Sequence, residues 1–252
     1  MWIFPLAAAV IALVFAAIVG WRFARLRRPY LAAWAVALLM FAAASSAAFL
    51  GIRNGWNSGE YRIYWLLGAV LNVPFLALGE LLLLLRDRRV RAVLLFVALF
   101  GTAFALNVVR TADVHGSAFA CHDLPLGKDV FASEGPVPEE TAKLCSSGEP
   151  PGLAYRLAQY FSYPAYVVLV GGAAWSAWRM RRDRALRDRF LGTLGIAVGA
   201  TIVAIGSGVG AGLDVVPVFS IGLALGIAVM FWGFLRASSG RRDARSSDPA
   251  PA

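Results

Sequence analysis

Glu80 is a carboxylic acid inside an apolar run, YRIYWLLGAVLNVPFLALGELLLLL, that extends from Tyr61 to Leu85. Such a run exceeds the ~20 residues needed to cross a bilayer core about 30 Å thick, and Glu80 stands roughly a turn and a half from its far end. An ionisable group at that depth can carry a proton or bind a cation. The plainer role, preferred because the boundary is near, is a neutral acid or one that reaches an interfacial arginine such as Arg86 or one in the first loop. Asn72 lies in the same run. On a helical wheel it shares a face with Tyr61, Trp65, Gly68 and Gly79, a polar or small stripe suited to helix contact or to lining a cavity.

Cys121 and Cys145 are the only cysteines, and both fall in the polar segment 110–152. A disulfide there would close a ring worth about 3 kcal/mol on the chain-entropy argument, and the 23 intervening residues are unlike the close spacing of a redox pair. His115 and His122 share the segment with Asp113 and Asp123 but show no recognised metal-ligand spacing, so no metal is expected. A candidate outer pocket can be drawn from Tyr61, Trp65, Asn107, Arg110, Tyr155, Gln159, Ser162 and Tyr166, which fall at matching levels of three runs. The competing and favoured reading of the aromatics is the belt that Tyr and Trp form at headgroup level.

Other chemistries lack their residues. No apolar run holds a histidine for haem or a lysine for a retinal Schiff base, and the two lysines lie in the polar segment. No H-E-x-x-H, paired intramembrane aspartates, phosphate-binding loop or dinucleotide loop is present. The serine Ser207, between Gly206 and Gly208, has no histidine on a helix to activate it. The expectation is a protein without enzymatic activity and without a cofactor.

The elements that must position these residues are apolar helices. The 252 residues are 59% hydrophobic and 15% charged, which predicts an all-α polytopic membrane protein rather than a soluble one. Seven spans are expected, at about 2–20, 30–51, 61–85, 90–109, 153–178, 190–213 and 215–235. They form one transmembrane domain, 1–236, with an outer loop at 110–152 and a disordered cytoplasmic tail at 237–252. The first run is followed by arginines rather than preceded by them, which reads as a retained span and not a secretory signal. With the N-terminus outside, 18 of the 24 basic residues fall on the cytoplasmic side, in four clusters after the odd-numbered spans. The C-terminus is then cytoplasmic, and the loop with both cysteines faces the oxidising side.

Glycines mark the last two spans. Gly195, Gly199, Gly206 and Gly210 share a face, and Gly222 and Gly226 repeat the small-xxx-small spacing, which predicts a close antiparallel hairpin. The net charge of +9 is spread between apolar runs rather than gathered into a patch, so nucleic acid is not an expected partner. The expected partner is the lipid bilayer, with room for a protein partner in the membrane and no ligand identified.

YRIYWLLGAVLNVPFLALGELLLL, SGVGAG of the sixth span and FWGFLR of the seventh resemble a group of uncharacterised multi-pass actinobacterial membrane proteins. The resemblance implies a bacterial plasma membrane and the helix number, and assigns no site residues. Two functions are carried forward: an interaction or sensing module, and a transporter or channel component for a small solute.

Overall fold

The computed structural model describes residues 2–85, 87–121, 123–131, 151–180, 187–210 and 215–246, with side chains for all but 121, 177, 180, 187–189, 210 and 238–246. Its elements are helical throughout these residues. Helix α1 (Ile3–Leu26) ends where Arg27 turns left-handed, at φ 50°, and returns its N–H to Phe23. Pro29 opens α2 (Pro29–Asn54), a position where its fixed φ fits and its missing N–H costs nothing. So short a link forces the two helices to pack antiparallel.

The third helix is one stack of three parts: α3 (Ser58–Ile63), a π-helical segment π1 (Tyr64–Leu71) and α4 (Asn72–Leu84). Asn57 caps its start by accepting the Glu60 N–H at 2.9 Å. The π segment has a local cause. Pro74 cannot donate to the carbonyl four residues back, Val70, or five residues back, Ala69. The Ser162 hydroxyl donates to the Ala69 carbonyl at 2.5 Å and replaces that lost donor from another helix.

Asp87 caps α5 (Arg88–Thr111) by accepting from the Arg89 and Val90 amides. Two short helices, α6 (Ala118–Cys121) and α7 (Gly127–Val130), lie in the polar segment that follows α5. They are followed by α8 (Leu153–Met180), α9 (Arg187–Ile205), a second π segment π2 (Gly206–Gly210) and α10 (Val216–Ser246).

Among the described residues, six stretches are long and apolar enough to cross a membrane: Ile3–Leu26, Pro29–Asn54, Ser58–Leu84, Arg88–Thr111, Phe190–Val209 and Val216–Ala237. The chain is a membrane protein of apolar helices. The expected fifth span corresponds to α8, whose 28 residues suffice in length. Its Arg156, Gln159, Pro164 and four tyrosines make it less apolar than the others.

Six helices close a ring: α1 packs on α2, α2 on α4, α4 on α8, α8 on α9, α9 on α10, and α10 back on α1. Helix α5 stands outside it, touching α4, π1 and α8. Its Val93, Phe96, Val97, Leu99 and Phe100 are exposed, which suits hydrocarbon contact, while Ala105 and Val109 near its C-terminal end are buried. The tightest contact is α9 against α10. A Cβ added at Gly199 would stand 2.6 Å from the Gly226 carbonyl oxygen, and one at Gly206 would stand 2.8 Å from the Gly222 Cα. Only glycine permits backbones that close.

Candidate functional site

The ring encloses a cavity of about 460 Å³ at the end where α1, α4 and α8 finish and α2 and α9 begin. All six ring helices contribute to it. Phe15, Leu38, Leu76, Leu169 and Met230 are among its apolar walls, and Arg22 and Arg179 are its arginines. Glu80 is more than nine-tenths buried and lines the cavity, with no hydrogen-bond or ion-pair partner among the described residues. Arg86 lies outside those residues. Arg22 places its guanidinium over the Phe234 ring, 4.7 Å from the centroid, and Arg179 is exposed.

Two glycines fix the acid's surroundings. Trp34 packs against Gly79, where an added Cβ would come within 2.2 Å of the indole, and its Nε1 donates to the Leu76 carbonyl at 3.1 Å. Gly172 of α8 abuts Glu80 itself, since a Cβ there would stand 2.8 Å from the Glu80 Cγ. Sequence reasoning missed Gly172, Trp34 and the two arginines. The one available signal was the pair Gly79-Glu80, small residue beside acid, of which the wheel places only Gly79 in a stripe.

Asn72 does not line this cavity. It is buried where π1 gives way to α4, and its Oδ1 has no hydrogen-bond partner. Ser220 of α10 is likewise buried with an unpartnered hydroxyl, and no sequence pattern marked it.

At the opposite end, aromatic rings fill the ring of helices. Tyr61 contacts Trp56, Tyr64, Trp65, Phe119 and Phe131 with centroids 5.3–6.1 Å apart. Trp65 stacks on Tyr155, and Tyr64 meets Phe219 edge-on. The polar atoms of these rings hold down the segment that follows α5 and the start of α8. Trp56 Nε1 donates to the Asp123 carbonyl at 2.8 Å, Tyr61 Oη to Pro125 at 2.9 Å, and Trp65 Nε1 to Ala154 at 3.0 Å. Gly127 seats the Trp65 indole, because a Cβ there would lie 2.0 Å from it. Arg62 donates to the terminal carbonyls of α5, at Val109, at Arg110 (2.6 Å) and at Ala112 (2.8 Å), satisfying groups that a helix end leaves open.

Of the eight residues drawn into an outer pocket, Tyr61, Trp65 and Tyr155 come together as this packed cluster. Gln159 Nε2 donates to the Tyr155 hydroxyl at 3.5 Å. Ser162 binds the π1 carbonyl, and Tyr166 pairs with Thr201 of α9 at 3.0 Å. Asn107 and Arg110 are exposed on α5. None of the eight lines the large cavity or a smaller one, about 120 Å³, between the end of α5 and the start of α8. Cys145 and the side chain of Cys121 lie outside the described residues, as does His122. Among the described residues no group of three or more His, Cys, Asp or Glu is placed to hold a metal ion.

Comparison of the chain with protein-family models, with curated proteins and with solved structures finds no match.

Proposed function

We propose that this chain is a non-enzymatic binding module of a bacterial plasma membrane, which takes a ligand into the cavity beside Glu80 and senses or presents it. In this reading the chain crosses the bilayer seven times, α8 included, with its N-terminus and its aromatic end outside. The cavity then opens toward the cytoplasm, the side of the arginine clusters. The observation that carries the proposal is that the cavity ends within the bundle. It reaches Glu80 but not Asn72, and the far end of the ring is packed with Tyr61, Trp65, Phe131 and their neighbours. A site with one opening suits binding; a conduit needs two. Helix α8 belongs among the spans because both its neighbours in the ring, α4 and α9, are membrane-crossing by composition.

Transport of a small solute is the second reading, favoured by one feature. The third helix is interrupted at π1, where Asn72 is buried with an unpartnered oxygen, and transporters build their sites at interrupted helices.

Ser176 is half-buried and lines the cavity, so the larger side chain of Ser176→Trp takes up part of that space and narrows it. Mass spectrometry of both chains purified in mild detergent is expected to find a small molecule held by the parent and missing from Ser176→Trp. The same complement in both would contradict binding in the cavity. Solute flux through vesicles holding the parent, abolished in Glu80→Gln at equal expression, would favour the second reading.

A further inference from the structure

Resting on the reading of the cavity as a binding site, we infer that its ligand is an organic ammonium with an apolar body, whose cationic group meets the carboxylate of Glu80. The argument begins with what surrounds that carboxylate. A charged group removed from water is costly unless a counter-charge or hydrogen bonds replace the lost solvent. Glu80 has no such partner among the described residues, yet it faces the cavity, so the missing counterpart has space to bind.

The other charges on the wall stand elsewhere. Arg179 is exposed, and the Arg22 guanidinium stacks over Phe234. Neither is in ion-pair contact with Glu80. An ammonium ion supplies the counter-charge that the buried acid lacks, and an anion does not.

The walls select the rest of the molecule. Tyr30 and Trp34 contact each other edge-on at 5.4 Å, and both line the cavity, presenting aromatic surface to a bound cation. Leu38, Leu76 and Leu169 offer hydrocarbon, which suits an alkyl or aryl body, while Ser176 and Thr193 stand on the same lining. The volume falls within the range of about 300–1,000 Å³ usual for drug-sized ligands. The rim includes the exposed side chains of Leu83, Leu84 and Trp175 beside Arg179, so an amphiphile can enter from the membrane interface as well as from water. A free hydrophobic amine and the amine of a lipid headgroup share this chemistry.

The test uses the full chain in a nonionic maltoside detergent, with radiolabelled dodecylamine and dodecanol as probes. Saturable binding of the amine is expected, with dodecanol about tenfold or more weaker, and Glu80→Gln is expected to bring the two to the same affinity. Equal binding of amine and alcohol by the parent would overturn the inference while leaving the cavity as a binding site. Amine binding that resists Ser176→Trp, or no saturable binding of either probe, would overturn both. The comparison of amine with alcohol in the parent needs no variant to fold. Displacement of dodecylamine by lysophosphatidylethanolamine at lower concentration than by free hexylamine assigns the source to a lipid headgroup; the reverse order assigns it to a free amine, and failure of both to displace overturns the inference.

Discussion

At the scale of single residues, indole and phenol groups do more than mark a membrane boundary. Tyr160 and Tyr163 of α8 are exposed and fit a lipid-facing belt, whereas Trp56, Tyr61 and Trp65 are buried and each donates to a backbone carbonyl of the segment after α5 or the start of α8. Trp65→Phe keeps a ring but removes its hydrogen bond to the Ala154 carbonyl, which should lower stability by about 0.5–1.5 kcal/mol. Tyr160→Phe should change it by less than about 0.5 kcal/mol, as an exposed substitution does. Unfolding in mixed micelles measures both, and equal effects would contradict the distinction. The sequence could not separate these residues, because membership of the belt and membership of the cluster need the same amphipathic side chains at the same depth. What divides them is the partner: Asp123, Pro125 and Ala154 contribute carbonyls, and no residue type predicts where a carbonyl will point.

At the scale of elements, glycine spacing reads through to structure more directly. Gly199 and Gly226 recur at small-xxx-small intervals, and their helices approach until backbone meets backbone. Gly199→Ala should therefore destabilise the α9–α10 contact by about 1–3 kcal/mol, since beside the Met230 side chain it meets the Gly226 carbonyl oxygen and the Met230 amide nitrogen, main-chain atoms that cannot step aside. Gly208, in π2, has nothing within 4 Å of an added Cβ, so Gly208→Ala should be close to silent. A denaturant titration in which the two variants behave alike would show that the glycine face has another purpose. The third helix shows the opposite limit of legibility. A wheel drawn at 3.6 residues per turn loses its phase across the π segment Tyr64–Leu71, so the stripe joining Tyr61 to Gly79 could not give the direction of Glu80. Pro74 was the available signal for that break. Its consequence, a carbonyl taken up by Ser162 some ninety residues away, lies beyond any local pattern.

At the scale of the whole molecule, composition reveals a bundle of apolar helices, but not that six of them close a ring and leave α5 outside. Helix α5 is as apolar as its neighbours, and its place follows only from which faces meet. The cavity is a property of that closure. It gathers Phe15, Glu80, Leu169, Thr193 and Phe234 from helices far apart in sequence, and it lies at the arginine-rich end while aromatic packing fills the other. The claim on which the proposed function depends is that this space is reached from the cytoplasmic side alone. Ser176→Cys places a thiol in its wall, and a membrane-impermeant maleimide can be offered to right-side-out or inverted vesicles, with the parent chain giving the background from Cys121 and Cys145. Labelling of Ser176→Cys above that background in inverted vesicles only is the predicted result; labelling in right-side-out vesicles would contradict it.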